Sequence, residues 1–180
     1  MSKCEKGGLQ SRTVAEFDAS AILGTPFSVV LHNAVKEKMC PKTGIVLGHV
    51  LPMPEKLISV AAILRTCEPI KLNGSEIKFL RKSMDLKAKD LADRLCVSPE
   101  QYSRYENDKL PISNVYEKLL RGEVCLHHLD NVKHIDIDIR GVMAMKIQSA
   151  HDIEKPVVLR LAPVFVDQDK PVEKWKKQVA

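Results

Sequence analysis

The sequence contains no apolar run long enough to cross a membrane. Its longest apolar stretches, such as the one from Leu57 to Leu64, are far shorter than the roughly 20 residues that a spanning helix needs. The polar start, from Met1 to Gly8, leads into no apolar segment of the kind found in secretory signals. Internal repeats and low-complexity tracts are missing as well. We therefore expect a packed, cytoplasmic protein that does not enter a membrane.

The spacing of cysteines that marks zinc sites and disulfide frameworks is also missing. The five cysteines lie far apart and form no C-x-x-C pair. They are Cys4, Cys40, Cys67, Cys96 and Cys125. We expect reduced thiols, no metal site and no cofactor.

Charge of one sign does not dominate. Twenty-eight Lys and Arg against 23 Asp and Glu give a net charge of +5. This mild excess is consistent with a polyanionic partner, but many proteins without such a partner share it.

A convergent catalytic group is also hard to find. The local clusters that invite catalysis are His127, His128 and Asp130, and His134, Asp136 and Asp138. If the first segment is extended, the side chains of His127 and His128 point to opposite faces and do not converge. The two aspartates of the second cluster would share the solvated face of a sheet. We therefore expect no enzyme.

The pattern of apolar residues along the chain predicts an α+β fold. Residues 26–35 and 44–51 predict two paired strands, and 54–65 predict a short helix that begins at a proline. Four short amphipathic helices follow, at 75–83, 88–95, 99–107 and 114–121. Three β-rich runs then predict a small C-terminal sheet, at 134–140, 142–147 and 156–166.

These changes of pattern divide the chain into five parts. We expect a flexible tail at 1–15, an N-terminal α/β subdomain at 16–70, a helical domain at 71–122, a C-terminal β segment at 123–167 and a charged tail at 168–180. Trp175 lies in that last tail, which we expect to be disordered.

The second and third helices have the spacing of a helix-turn-helix. Leu91 and Ala92 suit the inside of the angle between two helices, and Val97 suits the turn. Tyr102 and Tyr105 would bury the inner face of the next helix. Ser98 can cap that helix, and Pro99 and Glu100 suit its first turn. The outer face that remains is polar and fits a major groove about 12 Å wide.

On these residues, the stretch 74–121 resembles the Cro/repressor, Xre-like family of DNA-binding helix-turn-helix domains. The run Leu72 to Lys82 ahead of it, following a small β unit, is similar to the layout of MqsA-type antitoxin regulators. The zinc cysteines of those relatives are not matched, so metal binding is not carried over. Two departures concern the backbone: Cys96 stands in the turn, where φ is positive and Gly is common, and Asp108 replaces the usual Gly after Glu106-Asn107.

The resemblance also assigns roles to individual residues. An ion pair is implied between Arg81 on the first helix and Glu106 at the end of the recognition helix. The base-reading positions it implies are Pro99, Glu100, Gln101, Ser103 and Arg104. Phosphate candidates flank that helix at Lys82, Lys87, Lys89 and Lys109, although a merely solvated surface is an equally open interpretation for each lysine. Lys87 and Ala88 replace the usual cap and phosphate-binding Gln of the second helix.

The function expected from this resemblance is that of a sequence-specific transcriptional regulator, a repressor that binds operator DNA as a homodimer. The alternative is an antitoxin whose N-terminal β unit binds a toxin while the helix-turn-helix regulates its own operon. For dimerisation we favour the N-terminal β unit or the C-terminal sheet, where an exposed strand edge such as 157–166 invites pairing with its symmetry mate.

Overall fold

A computed structural model of the chain describes residues 9–132, 137–149, 157–164 and 174–177. The first part of the chain forms β1 (Gln10–Asp18), α1 (Ser20–Leu23), β2 (Ser28–Met39), β3 (Val46–Val50) and α2 (Pro54–Cys67). The helical part forms α3 (Gly74–Ser83), α4 (Ala88–Arg94), α5 (Pro99–Glu106), α6 (Asn114–His128) and α7 (Ile139–Ala144). The last elements are β4 (Val158–Val164) and β5 (Lys174–Lys177). The fold class is α+β, as the sequence predicts.

A single mixed sheet is built around the long strand β2. Strand β1 pairs antiparallel with one side of β2 along most of its length. The other side of β2 is shared: β4 pairs in parallel with Ser28 to Leu31, and β3 pairs antiparallel with Lys36 to Met39. Strand β5 pairs antiparallel with β4. The predicted pairing of the two N-terminal strands is therefore confirmed.

Helix α2 joins the sheet to the helical part. It contacts α6, α3, α1 and β4, and nearly all of its residues from Leu57 to Thr66 are buried. A second link is the pair Phe27 and Phe79, whose rings meet edge to face at a centroid distance of 5.4 Å. Because one continuous core runs across these contacts, the sheet supports the helical domain directly.

The C-terminal expectations differ most from the structure. Helix α6 continues to His128, and 139–144 form helix α7, so strands predicted at 134–140 and 142–147 are wrong for the residues described; 133–136 lie outside them. Strand β4 matches the third predicted strand, but it joins the N-terminal sheet and does not form a separate one. Local alternation of apolar residues did not distinguish a short amphipathic helix from a strand in this part of the chain.

Both predicted tails contain strands. Strand β1 begins at Gln10, inside the tail expected at 1–15, because its backbone completes the pairing of β2. Trp175 lies in β5 opposite Pro163 and is 3% exposed, so a disordered tail is wrong at 174–177. No helix among the described residues is both long and apolar enough to span a membrane.

Candidate DNA-binding interface

The corner between α4 and α5 is built from the apolar residues that the sequence places there. Leu91, Ala92 and Leu95 of the α4 region are at most 1% exposed, and Tyr102 and Tyr105 of α5 are at most 3% exposed. Val97 closes the turn, and its amide donates to the carbonyl of Ala92 at 3.0 Å. The two helices therefore have the fixed geometry of a helix-turn-helix, in which α5 is the second helix.

Two positions have the backbone conformation that the resemblance implies, Cys96 in the turn between these helices and Asp108 after the end of α5. Cys96 has a φ of 54° and Asp108 a φ of 53°, both in the left-handed region. Asp108 has a compensating contact, because its Oδ1 accepts from the amide of Gly74 at 2.6 Å. Ser98 Oγ accepts from the amide of Gln101 at 3.1 Å and so caps α5, with Pro99 in the first turn. The capping predicted for Ser98 is confirmed.

The outer face of α5 is open to solvent. Pro99, Glu100, Ser103 and Arg104 are all exposed. Gln101 is half-buried, and its Nε2 donates to the hydroxyl of Tyr105 at 2.5 Å. The side chains expected to read bases therefore share one polar face, on which Gln101 alone is oriented by a buried tyrosine.

Asn107 adds a contact that sequence reasoning did not find. Its Nδ2 donates to the backbone carbonyl of Ser103 at 2.7 Å and lies 3.4 Å from the Ser103 hydroxyl. An Asn four residues after a Ser is the signal that points to this contact. The exposed amide of Asn107 extends the polar face of α5 past the end of the helix.

The ion pair between Arg81 and Glu106 is present. Arg81 Nε lies 2.6 Å from Glu106 Oε1, and Nη2 lies 3.2 Å from Oε2, which is a bidentate geometry. Arg81 Nη1 also donates to the carbonyl of Leu86 at 2.7 Å. The hydrogen bond with Glu106 raises the pKa of Arg81. This pair fixes the end of α5 to α3.

The four candidate phosphate lysines are all exposed but lie in different places. Lys87 and Lys89 lie at the start of α4, where Lys87 is the N-cap residue and makes no side-chain capping bond. Lys109 lies three residues after the end of α5. Lys82 lies in the last turn of α3 and, with Lys78 and Ser20, lines an open pocket of about 370 Å³ between α1 and α3.

Two buried arginines position the helix-turn-helix against the sheet, and sequence reasoning missed them. Arg121 of α6 donates to the carbonyls of Thr66, Glu68 and Ile70, each at 2.6 Å, and Nη2 lies 2.8 Å from Glu117 Oε1. Burial lowers the pKa of Arg121.

The second buried arginine, Arg65, lies in α2. Its guanidinium pairs with Glu76 of α3 at 2.7 and 2.8 Å, and it also donates to the carbonyls of Ile70 and Lys71. The end of α2 and the linker that follows it, residues 66–71, are therefore held by side chains from both sides. The only sequence signal for this arrangement is charged residues inside otherwise apolar helical segments.

Of the histidines considered for catalysis, His127 and His128 lie in a helix, and His134 lies outside the residues that the structure describes. His127 and His128 are in the last turn of α6, so an argument from strand geometry does not apply to them. His128 is buried, and its Nε2 lies 3.1 Å from the hydroxyl of Ser83. Burial lowers the pKa of His128 to about 4. Within the residues that the structure describes, no group of three or more His, Cys, Asp or Glu could hold a metal ion.

Comparison with known proteins identifies the same segment. A family model described as "Helix-turn-helix" matches residues 77–114, which include most of α3 and all of α4 and α5. No curated protein and no solved structure gave a match. The layout of the MqsA-type relatives is thus not supported by a match outside this segment. Residues 77–114 are a helix-turn-helix of the Xre-like family, the DNA-binding domain of transcription regulators.

Proposed function

We propose that the protein is a sequence-specific repressor that binds operator DNA as a homodimer through α5. The observation that carries the proposal is the exposed polar face of α5, whose start is capped by Ser98 and whose end is fixed by the pair between Arg81 and Glu106. A rigid helix with a free polar face is what insertion into a major groove requires. In this proposal the chain binds DNA and does not act as an enzyme. It does so in the cytoplasm, where the DNA is.

Each residue of this face has a proposed role. Arg104 donates to the O6 and N7 atoms of a guanine, and Glu100 accepts from the N4 amino group of a cytosine. Pro99, Gln101 and Ser103 line the same face, with Gln101 already oriented by Tyr105. Lys87, Lys89 and Lys109 contact phosphates near the two ends of the α4–α5 unit, and Lys82 contacts the backbone from α3.

The homodimer follows from the small size of this face. One helix of eight residues offers too few base contacts for a specific site. Two copies related by a two-fold axis would read two half-sites about 34 Å apart, one turn of the duplex. A dimer that occupies a site overlapping a promoter competes with the polymerase for that DNA, which is the basis for proposing a repressor.

An antitoxin is the second candidate function. It is favoured by the apolar residues that strand β3 leaves exposed in the N-terminal β unit, since such a surface suits a protein partner. The two functions predict different results when the chain is purified from its native host. A bound toxin supports the antitoxin, whereas a chain that purifies without a foreign protein and binds its own promoter supports the regulator.

The experiment that tests DNA binding is a titration of the protein against the DNA upstream of its own gene, at two salt concentrations. Specific binding that weakens steeply with salt is expected, because lysine contacts release counterions from the phosphates. Affinity that does not depend on salt, or that is equal for unrelated DNA, would remove the proposed operator contact. A promoter–reporter fusion then decides the sign of regulation, since a repressor lowers expression.

A further inference from the structure

Strand β4, whose edge was expected to pair with a symmetry mate, is not free to do so. It pairs with β2 on one side and with β5 on the other, so it lies inside the sheet. A surface shaped for a ligand lies elsewhere, where α1 of the N-terminal part meets α3 of the helical part.

This surface is a pocket of about 370 Å³ that is open to solvent, called here the α1–α3 pocket. Ligand sites in proteins begin at about 300 Å³, so the pocket can hold a small metabolite. Ala21, Pro26 and Phe79 contribute apolar side chains to its lining. Phe79 is buried and packs edge to face on Phe27, so this side of the pocket is fixed by the core.

Two lysines give the α1–α3 pocket its charge. Lys78 and Lys82 lie four residues apart on α3, both are exposed, and both line the pocket. Within the described part of the chain, neither forms an ion pair. Like charges at this spacing repel one another, and no carboxylate among the described residues lines the pocket to offset them. An anion bound between the two ammonium groups would remove this repulsion.

Three hydroxyl groups of the lining residues can only accept hydrogen bonds from a ligand. Ser20 donates its proton to a carboxylate, Thr25 to a backbone carbonyl and Ser75 to a side-chain amide oxygen. Each hydroxyl has thus used its one proton and keeps a lone pair. A ligand that satisfies these oxygens must itself carry donors, such as the hydroxyl groups of a sugar.

We propose that the α1–α3 pocket binds a small phosphorylated sugar. The phosphate lies between Lys78 and Lys82, and hydroxyl groups of the sugar donate to the oxygens of Ser20, Thr25 and Ser75. A phosphate suits the two lysines better than a single carboxylate, because it carries more charge and has an oxygen for each ammonium group.

DNA also presents phosphate, and the proposed function places Lys82 on the DNA backbone. The two sources of phosphate differ in what they bring to the pocket. A backbone phosphate is a diester with one negative charge, and its deoxyribose has no free hydroxyl group for the accepting oxygens. A sugar phosphate carries up to two charges and several hydroxyl donors.

The consequence for regulation rests on the proposed function. A ligand that engages Lys82 competes with the DNA backbone for that lysine. Because such coupling is reciprocal, the bound sugar phosphate lowers the affinity of the protein for its operator. The ligand would thus act as an inducer.

The test titrates the full chain with glucose 6-phosphate, ribose 5-phosphate and glycerol 3-phosphate at constant ionic strength, and follows the backbone amides by NMR. Saturable shifts are expected at the pocket residues, with a dissociation constant on the order of 0.1–1 mM for at least one of the three. Inorganic phosphate should bind about tenfold more weakly, because it lacks the sugar hydroxyl groups. Glucose should not bind detectably, because it lacks the charge.

Variants locate the site. Lys78→Gln/Lys82→Gln should abolish binding of the sugar phosphate. The matched control is Lys36→Gln/Lys38→Gln, which removes the same charge from exposed positions of β2 and should bind as the wild type does. Ser75→Ala should weaken the sugar phosphate several-fold and leave the binding of inorganic phosphate unchanged. Thermal unfolding verifies that these exposed substitutions leave the fold intact.

The proposal is supported if a sugar phosphate binds the wild type and the control but not the pocket variant Lys78→Gln/Lys82→Gln. It is overturned if none of the three compounds gives saturable shifts up to about 20 mM, or if the pocket variant binds as the control does. It is also overturned if inorganic phosphate binds as tightly as the sugar phosphates, since the pocket would then hold only an isolated phosphate such as one of the DNA backbone.

Operator binding is measured separately. A saturating sugar phosphate should lower the affinity of the wild type for operator DNA about five- to tenfold, and should have no effect on the pocket variant. Operator affinity that the bound ligand leaves unchanged overturns the regulatory consequence and keeps the site. A chain that binds the sugar phosphate but no DNA removes the proposed function and keeps the site.

Discussion

Gln101 Nε2 donates a hydrogen bond to the hydroxyl of Tyr105 at 2.5 Å, one helical turn further along α5. Tyr105 is 3% exposed, so this bond connects the core to the face that we propose reads bases. It orients the Gln101 amide before any DNA is bound. An oriented amide loses less conformational entropy on binding than a free one.

Tyr105→Phe should therefore weaken operator binding about tenfold while leaving affinity for unrelated DNA unchanged. The phenyl ring keeps the packing of the core and removes only the acceptor for Gln101. Fluorescence anisotropy with operator and scrambled duplexes measures both affinities. In a Gln101→Ala variant, Tyr105→Phe should not weaken operator binding further. If it still weakened operator binding about as much as in the wild type, Tyr105 would not act through Gln101.

Cys96→Gly should stabilise the fold by about 1 kcal/mol relative to Cys96→Ala, because glycine adopts a positive φ without a Cβ clash. Urea unfolding of the two variants measures the difference. Comparison with alanine, and not with the wild type, separates the backbone effect from loss of the thiol. Equal midpoints would mean that the turn stores no strain at this residue.

Arg121→Met should lower the free energy of unfolding by about 3–5 kcal/mol, because it leaves the carboxylate of Glu117 buried without its arginine. It also removes the donors to three carbonyls, one in the last turn of α2 and two in the linker that follows it. The matched control is Arg94→Met, whose ion pair with Glu123 is exposed, so that a loss below about 1 kcal/mol is expected. Similar losses for both variants would contradict the proposed role of the buried arginine.

Stability should fall as the pH falls from about 6.5 towards 4, in part because of His128. Its folded pKa of about 4 lies below its ordinary value of 6.5, so the unfolded chain binds the proton first. The contribution of this residue is thus complete above pH 6.5 and is lost as the pH approaches 4. Urea unfolding of the wild type and His128→Gln between pH 7 and 4.5 isolates it, with exposed His127→Gln as the control. If the free energy of unfolding fell equally with pH in the wild type and in His128→Gln, this role of His128 would be contradicted.

The helix-turn-helix could be predicted from the sequence because its determinants are local. Caps such as Ser98, the proline that follows it, and apolar residues at helical spacing all act within a few positions. The positive φ at Cys96 and the partners of the ion pair at Arg81 came from resemblance to a family. The resemblance was specific enough to assign both features to single residues.

The C-terminal half of the sheet could not be predicted in this way because its determinants are not local. Strand β4 pairs with β2 across more than a hundred residues, and Trp175 is buried by an edge that β4 provides. The buried arginines Arg65 and Arg121 find several of their backbone acceptors in the linker after α2, outside both of their helices. Apolar alternation indicates how a strand is oriented but not which strand it joins.

The central claim is that the exposed flank of α5 reads base pairs, and substitution of Arg104 tests it most directly. Binding of the wild type and Arg104→Ala is titrated against operator and scrambled DNA at two salt concentrations, with Lys89→Ala as the control. Loss of one bidentate contact with guanine should reduce operator preference by about ten- to a hundredfold and leave most nonspecific binding intact. Lys89→Ala should weaken both duplexes alike and reduce the salt dependence. Operator preference that is unchanged in Arg104→Ala would contradict the claim.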